Sequence, residues 1–351
     1  MLAHKFTPKE LGYRMPSEWE RQEAVWLAWP HNEDTWHAMI EEVEDAYVQF
    51  VKYLHTGQKV KILVNDEELK TKAISKLSKA GINLSQIILY LIKNQDAWIR
   101  DYGPTFVLNP NSKQKLAIVK WIFNAWGNKY DELKEDNFVA YKINKIMNVP
   151  LFEPNIVLEG GSIDVNGKGT LMTTEQCLLN KNRNPNIDRE KIESYLKNYF
   201  DVSNILWLKN GIIGDDTDGH IDDIARFVNQ NTVVCSFEEN KSDENYELLK
   251  ENYELLKNMY DENGNKLKVV KLPMPGFVGV KQRLPASYAN FYIGNTAVVV
   301  PVFGHKNDKK AINVIKKAFP DRKVVGINCK AMIYGFGALH CCSMQEPYVK
   351  I

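Results

Sequence analysis

The chain of 351 residues is nearly neutral, with 45 Lys and Arg against 44 Asp and Glu, and 44% of its residues are hydrophobic. This composition is sufficient for a large buried core, while the lack of net positive charge argues against nucleic acid or an anionic membrane surface as a partner. The five cysteines are odd in number and scattered, and the first residues lack the apolar run of a secretion signal, so we expect a protein of the reducing cytoplasm.

Short runs rich in β-branched and aromatic residues alternate with helical patterns along the chain. Strands are predicted at residues 25–29, 60–64, 116–123, 232–235 and 297–302. Apolar residues at helical spacing predict helices at residues 33–55, 67–80, 188–199 and 308–319. The alternation predicts an α/β fold. No linker rich in Pro, Gly or Ser divides the chain, so we expect residues 1–351 to form a single domain.

A thiol near the C-terminal end is a candidate nucleophile. Cys341 follows Gly335 and Gly337, and glycine allows the backbone to approach a substrate closely. Cysteine reacts as the thiolate, so the site also needs groups that activate it. The adjacent Cys342 is predicted to be a buried neighbour, because a disulfide between consecutive cysteines would be strained.

The segment GDDTDGHIDD at residues 214–223 contains a candidate acid or base. His220 and Asp222 are two positions apart, and on an extended strand such residues share a face. An imidazole and a carboxylate would then point into the same space. An Asp-rich run with glycine is also typical of a solvated turn, so both interpretations stay open on these residues alone.

Two further segments carry candidate site residues. Trp98 offers an aromatic face, and Asp101 can accept two parallel N–H bonds from a planar guanidinium. The same segment is compatible with a strand end closed by a Gly-Pro turn.

Glu159, before two glycines, either orients the imidazole or is a strand-end charge beside the predicted hairpin turn at Asn166 and Gly167.

A resemblance covers almost the whole chain. In the number and order of nine segments, the sequence resembles the agmatine deiminase family of guanidine-modifying enzymes: Met15–Glu20, Trp29–Pro30, Trp98–Pro104, Phe123–Gly127, Glu159–Gly161, Asn182–Pro185, Thr217–Asp222, Ser287–Phe291 and His340–Cys341. The resemblance implies the pentein fold, a closed five-bladed α/β propeller of ββαβ-type modules with pseudo-fivefold symmetry around one active site. The sequence itself shows no clean repeat of about 70 residues.

The resemblance also implies roles for individual residues. Cys341 attacks the guanidinium carbon, His220 is the general acid and base, Asp101 and Asp222 hold the guanidinium nitrogens, and Glu159 positions the histidine. Ammonia leaves, a covalent thiouronium forms, and water releases the ureido product. No cofactor and no metal ion is expected.

The resemblance implies agmatine as the substrate, with N-carbamoylputrescine and ammonia as products in polyamine (putrescine) synthesis. Trp98, Asn290 and Gly337 are assigned to substrate binding, and Asp216 resembles the acidic residue that faces the amine, although the family pattern has Glu there. The loop at residues 335–338 departs from the family's more glycine-rich string, which ends in Asn. A homodimer is expected from the resemblance alone.

Several alternatives stay open. A peptidyl-arginine deiminase, a free-arginine deiminase and an amidinotransferase could all pass through the same thiouronium. A peptide substrate would call for Arg or Lys near its carboxylate, and residues 121–128 contain no arginine. The alternative from another class is a non-catalytic propeller that binds a partner, which Cys341→Ala would distinguish because only an enzyme would lose turnover.

Overall fold

The computed structural model describes residues 6–350, and within them the strands form five small sheets. The strands are β1 (Gln22–Ala28), β2 (Lys59–Val64), β3 (Ile87–Leu91), β4 (Thr105–Leu108), β5 (Leu116–Val119), β6 (Leu151–Phe152), β7 (Asp164–Val165), β8 (Thr170–Thr174), β9 (Asn204–Leu208), β10 (Ala225–Phe227), β11 (Thr232–Phe237), β12 (Lys268–Pro273), β13 (Tyr292–Ile293), β14 (Ala297–Val302), β15 (Lys323–Asn328) and β16 (Ser343–Pro347).

The helices lie between these strands. The helical segments are α1 (Glu33–Trp36), α2 (Ile40–Leu54), α3 (Glu67–Lys79), α4 (Ile99–Tyr102), α5 (Ala125–Asn128), α6 (Val139–Met147), α7 (Glu175–Leu178), α8 (Arg189–Phe200), α9 (Asn245–Lys257) and α10 (Asp308–Ala318); α5 is a single turn with left-handed backbone. Short 3₁₀ turns include Gly160–Ser162, Ile221–Asp223 and Met332–Gly335. No helix of the described residues has the combined length and apolar character needed to cross a bilayer.

Four of the five sheets have the same topology. In β4-β5-β6, β7-β8-β9, β10-β11-β12 and β13-β14-β15, the first strand is antiparallel to the second, and the second is parallel to the third. A parallel pair requires a crossover connection, which the helices supply. Each sheet therefore has the strand order of a ββαβ module, and the predicted α/β class is confirmed.

The remaining sheet joins the two ends of the described chain. Its order is β16-β1-β2-β3, with β1 antiparallel to β16 and parallel to β2. The last strand therefore takes the place that the first strand has in the other four sheets. Because β16 begins at Ser343, this pairing also fixes Cys341 beside the N-terminal module.

Most predicted elements are present with shifted ends. The strand predicted at 297–302 is confirmed as β14, and helix α3 covers most of residues 67–80. The helix predicted at 33–55 is interrupted, because His37 has a φ of 44° between α1 and α2. The strand predicted at 116–123 ends at Val119. The Asn166–Gly167 turn is confirmed, with Gly167 at a φ of 70° in the connection between β7 and β8.

Local sequence explains where the longer helices begin and which face they bury. Asp66 accepts a hydrogen bond from Leu69 N at 2.8 Å at the start of α3, and such a cap satisfies an amide that has no partner within the helix. In α2 the predicted apolar stripe is buried at Val43, Tyr47 and Phe50. Phe50 packs edge-on against Tyr292 of β13, which joins the N-terminal helix to a distant sheet.

Candidate active site

Each predicted site segment directly precedes the first strand of one sheet. Asp101 lies four residues before β4, Glu159 five before β7, Asp222 three before β10, Asn290 two before β13 and Cys341 two before β16. The five modules therefore contribute one segment each to the site. Their side chains meet only through tertiary packing, because the segments are far apart in the sequence.

A cavity of about 190 Å³ joins part of this set. Cys341, Asp101, Trp98, Gly337 and Asp216 lie on its wall. Cys341 and Asp101 are buried, while the side chain of Asp216 is 31% exposed. The cavity therefore runs from a buried end with the thiol to an exposed end with the carboxylate of Asp216.

The thiol of Cys341 has two polar neighbours at the buried end. It lies 3.7 Å from Asp222 Oδ2 and accepts a hydrogen bond from Asn290 Nδ2 at 3.0 Å. Asn290 also accepts a hydrogen bond from the amide of His340 at 2.9 Å. Asn290, predicted as a substrate-binding residue, instead lies against the nucleophile and outside the cavity wall.

His220 lies behind the wall, and its imidazole is fully buried. Its Nδ1 is 3.8 Å from Asp101 Oδ1, and its Nε2 is 4.0 Å from Glu159 Oε2. The prediction that His220 and Asp222 lie on a strand is wrong: His220 precedes the 3₁₀ turn Ile221–Asp223. The two side chains nevertheless converge, since a Cβ built on Gly161 would lie 2.6 Å from His220 Nδ1 and 3.1 Å from Asp222 Oδ2.

Glu159 is held by a residue to which the sequence assigns no role. Arg183 Nε donates to Glu159 Oε1 at 2.7 Å, and its guanidinium also binds Asp218. Both Arg183 and Glu159 are buried, so the guanidinium compensates for the burial of the carboxylate. Arg183 lies in Asn182–Pro185, one of the nine segments of the family resemblance. This membership is the sequence feature that could have identified it as a site residue.

Burial and the surrounding charges shift the pKa values of the reactive groups. Burial raises the pKa of the Cys341 thiol well above its usual value, and Asp222, Asp223 and Asp101 raise it further. Burial opposes a charged His220, yet Asp101 and Cys177 raise the pKa of this imidazole well above its ordinary value. The surrounding carboxylates therefore favour the protonated form of the thiol and the charged form of the imidazole.

Asp101 is a carboxyl group that titrates unusually close to neutrality. Burial raises its pKa to about 6, although the nearby His220 lowers it. Two donors orient its oxygens: Gly161 N at 2.9 Å from Oδ1 and Trp126 Nε1 at 2.9 Å from Oδ2. Trp126 also lies on the cavity wall, and the sequence pattern assigns it no role beyond membership of the Phe123–Gly127 segment.

The wall of the cavity is acidic. Besides Asp101 and Asp216 it contains three further carboxylates, from Asp34, Asp96 and Glu132. No Arg or Lys lies on the wall formed by residues 32–341 of the described chain, although Lys129, which is not part of the wall, has its Nζ 3.6 Å from Asp216 Oδ1. Such a lining favours a cationic ligand and disfavours one that ends in a carboxylate.

The fold and the site define a guanidine-modifying enzyme of the α/β class. The chain belongs to the family of Porphyromonas-type peptidyl-arginine deiminases, whose family model matches residues 14–347. This result confirms the relationship to guanidine deiminases that the nine sequence segments indicated.

Solved structures of similar proteins cover nearly the whole chain. The agmatine deiminase of Enterococcus faecalis is 36% identical with a TM-score of 0.91, over 97% of this chain and 98% of that chain. A C. jejuni agmatine deiminase with substrate bound is 34% identical with a TM-score of 0.85, over 96% and 97% of the two chains. An amidinotransferase from Microseira wollei is 11% identical with a TM-score of 0.55, over 97% and 99%, and shares the fold alone.

Proposed function

We propose that this protein is an agmatine deiminase, which hydrolyses agmatine to N-carbamoylputrescine and ammonia and so serves putrescine formation. The observation that carries the proposal is the acidic cavity that joins Cys341 to Asp216 without a lysine or arginine on its wall. Agmatine is a cation at both ends, and both ends of this cavity carry carboxylates. The names of the two similar solved enzymes agree with this assignment.

Substrate binding prepares the nucleophile in this mechanism. Asp101 and Asp222 accept N–H bonds from the guanidinium, which places its carbon beside Cys341. The bound cation offsets the negative charges that raise the pKa of the thiol, so the thiolate becomes accessible only when substrate is present. The carboxylates also concentrate positive charge at the carbon under attack.

The chemical steps use the chain's own residues and water. The thiolate of Cys341 forms a C–S bond to the guanidinium carbon, and His220 gives a proton to the departing nitrogen, which leaves as ammonia. The remaining thiouronium is attacked by water, whose proton returns to His220. The C–S bond then breaks, the hydroxyl proton of the adduct passes to solvent, the ureido product leaves, and the thiolate of Cys341 is regenerated. Arg183 acts through Glu159, which lies 4.0 Å from His220.

The exposed end of the cavity provides the second anion that agmatine requires. Asp216 accepts a hydrogen bond from the hydroxyl of Tyr130, and both residues lie on the wall. The hydroxyl fixes the direction of the carboxylate, and Glu132 lies on the same wall. Asp in place of the family's Glu is one methylene shorter, and we propose that Tyr130 and Glu132 complete the amine site around it.

We further propose that the five sheets are the blades of a closed propeller in a single domain spanning residues 1–351. The support is topological. Each sheet contributes the segment before its first strand to one site, and β16 completes the sheet that contains β1. The homodimer and the cytoplasmic location stay predictions from the sequence.

The substrate assignment is tested with matched guanidines. Ammonia release is measured for agmatine, butylguanidine, 5-guanidinopentanoate, free arginine and a blocked arginyl peptide, with Cys341→Ala as the control. Butylguanidine lacks only the amine, and 5-guanidinopentanoate replaces it with a carboxylate. We expect agmatine to be strongly preferred and Cys341→Ala to be inactive. Equal or better turnover of arginine or the peptide would overturn the substrate while leaving the chemistry in place.

Asp216 is tested separately with a charge-matched control. Asp216→Asn is expected to raise KM for agmatine by on the order of tenfold, because a charged hydrogen bond contributes about 1.5–3 kcal/mol, and to leave butylguanidine unchanged. Asp131→Asn removes a carboxylate that is 86% exposed and pairs with Lys134 outside the cavity wall. If both variants raise KM equally, the amine is recognised through the general negative charge of the site and not through a specific contact with Asp216.

A further inference from the structure

The imidazole of His340 lies between two buried carboxylates. Its Nδ1 is 2.7 Å from Asp222 Oδ2, and its Nε2 is 2.8 Å from Glu18 Oε2. All three side chains are buried. A contact this short between a ring nitrogen and a carboxylate oxygen requires a proton between the two atoms. Both ring nitrogens of His340 are therefore engaged by carboxylates, although burial, Arg100 and Arg226 lower the pKa of the imidazole.

Glu18 is a fixed end of this chain of contacts. Arg226 Nη2 donates to Glu18 Oε2 at 2.7 Å, and the amide of Ile293 donates to Oε1 at 2.6 Å. Burial opposes ionisation of Glu18, yet Arg226 and His340 hold the pKa of this carboxyl far below its usual value. An anchored anion of this kind fixes the orientation of the ring that donates to it, as a carboxylate does for the histidine of a catalytic triad.

The other end of the chain reaches the reaction centre. Asp222 Oδ2, the oxygen bound by His340, is also the oxygen 3.7 Å from the thiol of Cys341. Asp222 Oδ1 is buried and has no hydrogen-bond partner among the described residues. One oxygen of the carboxylate is therefore held by the protein, while the other remains available for a ligand.

The backbone of His340 is held independently of its ring. Its amide donates to Asn290 Oδ1 at 2.9 Å, and its carbonyl accepts from Arg100 Nε at 3.3 Å. A change confined to the imidazole therefore leaves the contacts that place the next residue, Cys341. This separation allows the function of the ring to be tested without moving the nucleophile.

We propose that His340 is a positioning residue that orients Asp222, so that Oδ1 of this carboxylate accepts an N–H bond from the guanidinium of the substrate. The inference rests on the proposed deiminase function and adds a role for a histidine to which the sequence resemblance assigns none. His340 does not touch the substrate. It acts through Asp222, and Glu18 acts through His340.

Asn and Gln each carry a side-chain amide that can replace one nitrogen of the His340 ring. The two substitutions at this position therefore form a matched pair of variants. The amide nitrogen of Asn stands close to the position of Nδ1, so His340→Asn keeps a donor for Asp222 and loses the contact with Glu18. The amide nitrogen of Gln stands close to the position of Nε2, so His340→Gln keeps the contact with Glu18 and loses the donor for Asp222. Both variants remove the aromatic ring and its packing.

The first experiment measures agmatine binding by calorimetry in a Cys341→Ala background, together with KM and kcat in the otherwise native enzyme. We expect His340→Gln to weaken binding and raise KM by on the order of tenfold or more, in line with the loss of an orienting charged hydrogen bond. His340→Asn is expected to lose less affinity than His340→Gln, because it keeps the donor for Asp222 and loses only the contact with Glu18. Equal losses in both variants, or a larger loss in His340→Asn, would overturn the proposal.

Failure of the proposed deiminase function and failure of the proposed role of His340 would give different results. Absence of agmatine turnover in the native enzyme would refute the proposed function, whereas calorimetry with agmatine would still report whether the guanidinium site depends on the donor to Asp222. If both variants fail to fold, nuclear magnetic resonance of the ¹⁵N-histidine-labelled Cys341→Ala protein tests the same contact. The Nδ1–H signal of His340 should shift when agmatine binds, and a signal that stays unchanged at saturation would overturn the proposal.

Discussion

Trp126 donates its indole N–H to Asp101 Oδ2 at 2.9 Å from a backbone that L-residues rarely adopt. Ala125, Trp126, Gly127 and Asn128 have φ values of 53°, 52°, 90° and 64°. Left-handed backbone costs about 1–2 kcal/mol for a residue with a Cβ. Strain of this kind is concentrated at functional sites, and here it directs an indole at the carboxylate that is assigned to the guanidinium.

Replacement of Trp126 by Phe should therefore impair catalysis. The variant keeps an aromatic wall but removes the donor to Asp101, and the hydrogen bond from Trp126 is one of the influences that lower the pKa of this carboxyl. We expect kcat/KM for agmatine at pH 7.5 to fall by on the order of tenfold. Steady-state kinetics measure the effect. Trp121→Phe is the control, because Trp121 Nε1 is buried without a hydrogen-bond partner among the described residues, and an equal loss there would refute the explanation.

The loss of activity at low pH should reflect protonation of the Asp101 carboxylate. Its pKa of about 6 means that it is charged at neutral pH and gains a proton as the pH falls through 6. The protonated group no longer attracts a guanidinium, so kcat/KM should decrease below this pH, while the raised pKa of His220 keeps the imidazole charged on this acid side of the profile. Profiles between pH 5 and 9 should show this limb in the native enzyme. Asp101→Asn should have much lower activity without the limb, and its persistence there would assign the titration to another group.

The fold was predictable only where elements are long enough to show a period. Strand β14, with six residues, was predicted at its observed bounds, whereas β7 and β13 have two residues each and carry no detectable alternation. These two strands are among the five that the site segments precede. The contribution of five sheets to one site therefore could not be detected from sequence patterns, and the five-bladed propeller was suggested by the family resemblance alone.

The site was predictable where residue type decides the chemistry. Cys341 and Asp101 were selected as a thiol and a carboxylate, and both lie on the wall of one cavity. The prediction that His220 and Asp222 share a strand face gave the right proximity for the wrong reason, because a 3₁₀ turn brings them together. The role of Trp126 depends on left-handed backbone, which no local sequence pattern reveals for a residue with a side chain.

A methyl group at position 161 should abolish activity without unfolding the protein. A Cβ on Gly161 would lie 2.6 Å from His220 Nδ1, 2.9 Å from Asp101 Oδ1 and 3.1 Å from Asp222 Oδ2. Gly161→Ala should therefore displace three side chains of the reaction centre, and overpacking of this kind costs about 1–3 kcal/mol of stability. We expect kcat/KM to fall at least 100-fold, measured together with the thermal midpoint.

The control for this variant is Gly81→Ala. A Cβ at that position meets nothing within 4 Å, although the φ of 72° makes the substitution strained. It should lower stability by about 1 kcal/mol and leave turnover unchanged. Full activity in Gly161→Ala would show that the centre tolerates the displacement and would contradict the tight convergence of His220, Asp101 and Asp222.

Phe336 should limit the size of the accepted substrate. It has a φ of 66°, a conformation that favours glycine, and it lies on the walls of both the cavity at Cys341 and a neighbouring cavity of about 420 Å³. Asp34 and Thr35 also lie on both walls, so the phenyl ring stands where the two spaces meet.

Phe336→Gly relieves the left-handed strain and joins the cavities. We expect turnover of N-acetylagmatine or a blocked arginyl peptide relative to agmatine to rise by on the order of tenfold, since filling or opening a pocket by a few carbons changes specificity by about 1–3 kcal/mol. Tyr334→Ala, which alters only the neighbouring cavity, should leave the ratio unchanged. An unchanged ratio in Phe336→Gly would mean that the acidic groups around Asp216, and not the aromatic ring, exclude larger guanidines.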